Sequence, residues 1–378
     1  MAGIYLHIPF CKQACNYCNF HFSTSLQQKD ALIQAMLVEI KLTAAQQSTN
    51  STQLINTIYF GGGTPSILMI TDIKILLSTI YHKFKVSPNV EITLEANPDD
   101  ISLATLIEWK AIGINRLSVG VQSFNDEELV WMNRAHTAKE SLQCIDEIKQ
   151  AGFTNYSIDL IYGSPLLSHQ TWQKNVQILV DKKVPHISCY ALTVEPKTLL
   201  HQQINQQKKL NIDTDKQAEQ FLLLMQWMKT FGYIHYEISN YCMPNFESKH
   251  NSNYWKNEHY FAFGPAAHSF NGKSRRWNVA NNALYIAALQ NGTIPFEEEI
   301  LLPKEQLNEY IMTSLRTMEG LNLQYVQTNF GVKQAADIKL KAYQWILEKK
   351  ATMVNNTIVL TQQGKLFADG IAVDFFEA

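Results

Sequence analysis

Six short β-like runs alternate with six helix-period segments through the first 235 residues, and so regular an alternation admits few folds. GIYLHIP (3–9), NTIYFGG (56–62), VEITLEA (90–96), INRLSVGV (114–121), NYSIDLIYG (155–163) and HISCYALTV (186–194) are β-branched or aromatic runs bounded by Gly, Pro and Asn. Apolar residues recur at helical spacing over 27–45, 71–83, 102–112, 138–151, 169–182 and 213–231. Strand and helix in strict turn build βαβ units, hence a parallel sheet with helices packed on it. Periodicity leaves two α/β architectures open, a doubly wound sheet and a partial (β/α)6 barrel.

The polar residues bear on that choice. In a parallel barrel the working groups collect at the carboxyl ends of the strands. The first run leads into Cys11, Cys15 and Cys18, the second into Gly61-Gly62-Gly63-Thr64-Pro65, and the third into Glu95-Ala96-Asn97-Pro98. Gln122-Ser123-Phe124 ends the fourth, Asp159 lies within the fifth, and Thr193-Val194-Glu195-Pro196 ends the sixth. Each alone has an ordinary structural account as a tight turn, a capping or paired acid, or a satisfied amide. Gathered on one rim, they form a candidate site. The triple glycine lacks the spacing of a phosphate loop or a dinucleotide fingerprint. The backbone it bares suits a ligand carrying an amino-acid moiety.

The C-x3-C-x2-C spacing puts three thiols on one short loop. Three thiolates can hold an iron–sulfur cluster yet leave one iron without a protein ligand, because four cysteines are the usual set and Phe20, the next candidate, cannot ligate. A structural zinc with His21 as fourth ligand is the alternative. Disulfides among cysteines this close have poor geometry. Cys144, Cys189 and Cys242 sit in apolar or loop contexts and are read as packing residues.

Composition narrows the setting. With 378 residues, 46% hydrophobic, and a formal net charge of -2, the chain has material for a large core plus a smaller domain. Basic runs are absent, which argues against nucleic acid as a partner. No apolar run approaches the roughly 20 residues of a membrane span, and MAGIYLHIPFC has neither a basic region nor a cleavage site of a signal peptide. A cytoplasmic address, where thiols stay reduced, is the expectation.

C-x3-C-x2-C after a strand, GGGTP, ITLEANP, LSVGVQSF followed by Met132-Asn133-Arg134, and SIDLIYG occur in that order. Together they resemble the oxygen-independent coproporphyrinogen III oxidase family of radical S-adenosylmethionine (SAM) proteins, from about residue 3 to 270. The resemblance implies the partial (β/α)6 barrel and a 4Fe-4S cluster on Cys11, Cys15 and Cys18. It also implies that the amino and carboxylate groups of SAM chelate the open iron. Reduction by an external electron donor then cleaves SAM to methionine and a 5'-deoxyadenosyl radical. The family's SAM contacts fall on Tyr5, Gly62 and Glu95. Tyr17, Gly63, Thr64, Gln122, Arg134 and Asp159 match positions that meet a second SAM in the oxidase branch. Arg134 can fork onto a carboxylate, and Gln122 and Asp159 can fix hydroxyl or amine groups. The plainer account is that they order the rim and the helix starting near Asp126.

Two departures separate the chain from the oxidase branch. Phe20 stands where that branch has a further cysteine, and the chain begins almost at its first strand, without the oxidase's N-terminal extension. Both match a sister branch of heme chaperones. His250-Asn251-Ser252-Asn253-Tyr254-Trp255 resembles the segment linked to heme there. A His can ligate heme iron, and Tyr or Trp can stack on a porphyrin; a loop packed on the barrel mouth is the alternative. His268 is a second-rank ligand candidate.

After Pro303, helical spacing over 304–317, 321–329 and 334–349 precedes a hairpin turned at Asn355-Asn356, which suggests a winged-helix-like domain. Its mixed charge favours a packing or partner-contact role. The expected division is a barrel over 1–235, a connecting region with the heme-linked segment over 236–300, and the C-terminal domain over 301–378. The leading functional expectation is a heme chaperone carrying a SAM-bound cluster and passing heme to an acceptor protein, soluble or membrane-bound. A radical SAM enzyme acting on a porphyrinogen, by oxidative decarboxylation of the coproporphyrinogen type, is the alternative. A redox or zinc structural protein with a degenerate site is the third.

Overall fold

Buried parallel strands need apolar side chains on both faces, and the first six strands supply them wherever helices cover the sheet. A computed structural model describes residues 2–46 and 53–377. In chain order it runs β1 (Ala2–Ile8), α1 (Lys29–Gln46), β2 (Ile55–Gly62), α2 (Ile70–Lys83), β3 (Val86–Ala96), α3 (Leu103–Ala111), β4 (Arg116–Gln122), α4 (Asp126–Trp131) and α5 (Ala138–Gln150). It continues through β5 (Tyr156–Tyr162), α6 (His169–Asp181), β6 (His186–Ala191), α7 (Leu199–Asn205) and α8 (Thr214–Thr230). Strands β1 to β6 pair in sequence order, each parallel to the next. Among the described residues β6 does not pair with β1, so the barrel is partial.

Local chemistry sets the helix starts. Ser102 and Thr137 make capping boxes that fix the first turns of α3 and α5, Asn125 caps α4, and Asp213 caps α8. β6 stops at Ala191, short of the run to 194 that its composition suggests.

Residues 236–300, expected as a connecting region, add strands to both edges of the same sheet. A hairpin of β7 (Ile234–Glu237) and β8 (Asn240–Cys242) pairs antiparallel with β6. Helix α9 (Lys249–Trp255) follows, and the chain then reaches the opposite edge, where β9 (His259–Phe263) runs parallel to β1. β10 (His268–Phe270), β11 (Ser274–Asn278), α10 (Asn282–Gln290) and β12 (Phe296–Ile300) complete a 12-stranded sheet.

The C-terminal residues carry their own apolar core, which includes Leu307, Ile311, Leu321, Ile338, Ile358 and Phe375. Its elements are α11 (Pro303–Leu315), β13 (Leu321–Asn322), α12 (Leu323–Asn329), α13 (Val332–Leu347), β14 (Ala351–Val354), β15 (Thr357–Leu360), α14 (Gln362–Lys365) and α15 (Ala368–Phe375). The three-stranded sheet β13-β15-β14 against these helices is winged-helix-like.

Candidate functional site

The cysteine loop is gripped by its neighbours along its whole length. The Cys11 amide donates to the Ser23 carbonyl (3.0 Å) and the Asn16 amide to the Met132 carbonyl (3.3 Å), while the Leu200 amide donates to the Asn16 carbonyl (2.7 Å). Asn133, with φ at 57°, donates from Nδ2 to the Ala14 carbonyl (2.7 Å) and receives Gln13 Nε2 (3.0 Å). Lys12 pairs with Asp99 and Asp100 beyond β3. A loop tied at both ends and its middle presents its three thiols at fixed places.

Those thiols line a cavity of about 650 Å³ with Tyr17, Phe20, Gly62, Gly63, Thr64, Glu95, Asn97, Gln122, Arg134, Asp159 and Tyr190. Of the residues singled out in the sequence as cluster or SAM contacts, the cavity gathers all except Tyr5, whose ring lies behind it against Tyr59. Its volume lies within the usual range of small-molecule sites, about 300–1,000 Å³.

Glu95 is held by two donors: Tyr59 Oη at 2.7 Å and the Gly62 amide at 3.2 Å. Burial pushes its carboxyl up to about 7, with a further rise from Asp159 and opposing pulls from the two donors. Burial also raises Asp159, which Ser157 and Ser118 hold at 3.2 and 3.4 Å. Arg134 is committed inside the chain, donating to Cys15 Sγ (3.1 Å), Asn97 Oδ1 (2.8 Å) and the Gly120 carbonyl (2.7 Å). A guanidinium so engaged sets the position of one thiol and has only its Nε without a partner. Gln122 takes φ of 70° at an irregularity in β4, and its buried Oε1 has no partner among the described residues. A non-glycine residue held at positive φ with an orphaned acceptor marks a position shaped for something other than packing.

The glycines of GGGTP answer first to the chain itself. Gly62 has φ of 111°, and a Cβ there would lie 2.7 Å from His7 Nδ1. A Cβ on Gly63 would lie 2.7 Å from the Phe10 carbonyl oxygen and 3.0 Å from Cys11 Sγ. Close approach of β2 to the cysteine loop therefore requires these glycines before any ligand does.

The residues present fit a cluster and SAM: three thiols on one ordered loop, and a carboxylate and an amide at one strand end, around a cavity of suitable size. Burial raises the Cys11 thiol and pushes Cys18 up to about 11; metal loading must therefore expel protons. His21, the fourth ligand a zinc site would need, is turned away, with Nε2 2.8 Å from Asn282 Oδ1.

The heme-linked segment forms α9 on the concave side of the sheet beneath this cavity. Glu91 receives the Lys249 and His250 amides at the helix start (3.4 and 3.1 Å). His250 is buried, its Nδ1 2.8 Å from Thr57 Oγ1 and its Nε2 3.0 Å from Tyr254 Oη. Burial, reinforced by Arg116, pushes its ring down to about 3. Its ring stacks on Tyr59 at 4.9 Å. Trp255 points elsewhere, into a second cavity of about 650 Å³ between α9 and the winged domain, where Tyr310, Met318 and Tyr325 face it. An iron bond from His250 thus requires α9 to give up its Thr57 or Tyr254 contact. His268 is exposed on β10, its ring stacked on Trp277.

Nothing in the sequence singles out Tyr59 or Tyr190, and Asn97 and Asn133 stand in quoted segments without a partner that the sequence names. The only signals were the NP after ITLEA and the MNR after LSVGVQSF, whose contacts are tertiary.

Residues 5–179 match the radical SAM superfamily. Over 98% of both chains, this chain is 34% identical to the heme chaperone HemW of Bacillus subtilis (strain 168). It is 31% identical to the heme chaperone HemW of Mycobacterium tuberculosis (strain H37Rv), over 98% of this chain and 93% of that one. The coproporphyrinogen III oxidase HemN of Escherichia coli, described as a radical SAM enzyme, shares the fold with a TM-score of 0.85 at 21% identity, covering 99% of this chain and 90% of that one. By its cysteine loop, its barrel and its similarity from end to end, the chain belongs to the HemW family of the radical SAM superfamily.

Proposed function

We propose that this protein is a cytoplasmic heme chaperone that binds heme as cargo and delivers it to an acceptor protein. In this reading residues 1–235 carry a 4Fe-4S cluster on Cys11, Cys15 and Cys18, with SAM against Tyr5, Gly62 and Glu95. Residues 236–300 contribute His250, Tyr254 and Trp255 to heme, and residues 301–378 close the cavity beside Trp255. The observation that carries the reading is similarity over 98% of the chain to proteins named heme chaperones, in a chain that keeps both the thiol cavity and the His250–Trp255 helix. Among the described residues no helix is long and apolar enough to cross a membrane.

Bound together, a cluster and SAM supply one-electron chemistry. The chain's own part is positioning. Arg134 fixes Cys15, and Glu95 offers a carboxylate that Tyr59 and the Gly62 amide orient, while Gln122 and Arg134 line the cavity. Gly63 and Thr64, tied to Phe10 through the Thr64 amide (2.7 Å), and Tyr17 frame the thiols. An external electron donor and a heme acceptor complete the scheme.

A second reading, a radical SAM enzyme acting on a porphyrinogen, draws on one observation: Gln122, Arg134 and Asp159 all face the cavity. Against it, Phe20 stands 67% exposed where the oxidase branch has its further cysteine. Anaerobic reconstitution, heme titration, transfer to an apo-acceptor and a parallel coproporphyrinogen III assay separate the two. The chaperone reading expects heme uptake and transfer without protoporphyrinogen; robust protoporphyrinogen formation contradicts it.

A further inference from the structure

One helix of the winged domain is apolar on both sides. Helix α13 buries Ala335, Ile338 and Ala342 in the C-terminal core, and the opposite side of such a helix is ordinarily polar. Here Val332, Leu340, Tyr343 and Leu347 stand 68, 76, 63 and 60% exposed, with exposed Ala336 among them. At 3.6 residues per turn these five positions fall within about 80° of one another, turned away from Ile338. The stripe is therefore continuous along the helix and has no partner among the described residues.

Charge frames it. Residues 332–350 hold five lysines against Asp337 and Glu348, in a chain whose formal net charge is -2. Lys341 is tied to the Phe376 carbonyl (3.1 Å) and Lys350 to Glu348 (2.9 Å). Lys333, Lys339 and Lys349 have no ion-pair partner among the described residues. On the helix wheel Lys333 and Lys339 border the stripe on either side.

We infer that this face of α13 docks on an anionic lipid surface. Leucines and a valine can enter the acyl boundary, Tyr343 sits well at headgroup level, and the flanking lysines can reach lipid phosphates while their stems lie on apolar surface. A second copy of the chain fits less well. The stripe offers five apolar residues per copy, far fewer than the roughly 20–30 residues a side of a stable interface. Antiparallel pairing about its midpoint also brings Lys339 of both copies together. This docking is independent of the heme reading and needs no membrane-spanning segment.

The test is flotation of the full-length, cluster-loaded protein with vesicles of phosphatidylcholine alone and of phosphatidylcholine mixed with phosphatidylglycerol. Wild type should float with the anionic vesicles, less so as salt rises, and stay behind with the neutral ones. The combined Leu340→Glu and Leu347→Glu variant should partition about tenfold less or weaker still, and Lys333→Glu with Lys339→Glu should weaken partition severalfold. Circular dichroism confirms that these exposed changes leave the fold intact. Wild type that ignores anionic vesicles, or a leucine variant that floats as well as wild type, overturns the inference. So does a wild-type dimer in light scattering that the leucine changes split while vesicle binding is absent; that result assigns the stripe to a second copy.

Discussion

Gln122 at the rim and His250 at the floor of the partial barrel are treated in opposite ways. At the rim, Gln122 Oε1 and Arg134 Nε are buried without partners beside three thiols and an open cavity. At the floor, both ring nitrogens of His250 are engaged, by Thr57 and Tyr254, and the ring is buried. Unsatisfied buried groups are costly, so a partner that reached Gln122 Oε1 would be gained without breaking an existing bond. His250 itself is satisfied already, so a ligand on its ring has to exchange one set of contacts for another, even though Arg116 nearby keeps Nε and Nη2 without partners among the described residues. Tyr59 touches both, donating to Glu95 and stacking on His250.

The largest break between the two regions is expected from the thiols. Replacing any one of Cys11, Cys15 or Cys18 by Ala should abolish the cluster, read as loss of iron, sulfide and visible absorption, while the thermal midpoint of the metal-free chain barely moves because the loop lies outside the core. One zinc per chain, with no uptake of iron or sulfide by anaerobic wild type, would defeat the cluster assignment.

Next comes Glu95. Glu95→Gln keeps the shape but removes the charge opposite the Gly62 amide, and at pH 8.5, where a carboxyl pushed up to about 7 is ionised, should weaken SAM about tenfold or more, a charge-assisted hydrogen bond being worth about 1.5–3 kcal/mol, with the cluster spectrum retained. Equilibrium dialysis with labelled SAM measures it, and unchanged affinity would take Glu95 out of the site. Gly62→Val is a poorer probe than its sequence context suggests, since its Cβ would already strike His7.

The smallest effect sharpens the account of the floor. His250 is depressed from 6.5 to about 3 by burial, so the fold needs its neutral form. Its contribution is present above pH 6.5 and is lost as pH falls toward 3, because the unfolded chain binds the proton more tightly. Between pH 7 and 4.5 the unfolding midpoint of the metal-free chain should therefore drop less in His250→Ala than in wild type. Equal drops would mean that the imidazole is not held neutral.

Much of this contrast was legible before any coordinates. The six strand runs and the helices between them stand out because period-2 and period-3.6 patterns are local, and the rim followed from asking what ends each strand. The floor was harder to read. His250 and Tyr254 share a face only once 249–255 is seen as a helix, and that helix is seven residues long, too short to announce itself by periodicity. Five positions on from His250, Trp255 points to another cavity, so a segment read as one heme-contacting unit divides between two surfaces. Strands β7 to β12 were missed for a related reason: each has only three to five residues, and edge strands gain their stability from the sheet they join. Asn133 and Asn97 act only across the fold, on Ala14 and Arg134, and nothing in their neighbourhoods encodes that.

Heme titration of anaerobically reconstituted wild type and His250→Ala, followed through the heme and cluster absorption bands together, tests the central claim most directly. The account predicts that wild type takes up heme, and that His250→Ala loses most or all of the heme spectrum while its cluster absorption stays close to wild type and the protein, with a lowered thermal midpoint from the lost buried ring, remains folded at the assay temperature. Undiminished heme uptake in His250→Ala would contradict it and move the cargo site away from α9, with His268 the next imidazole to replace.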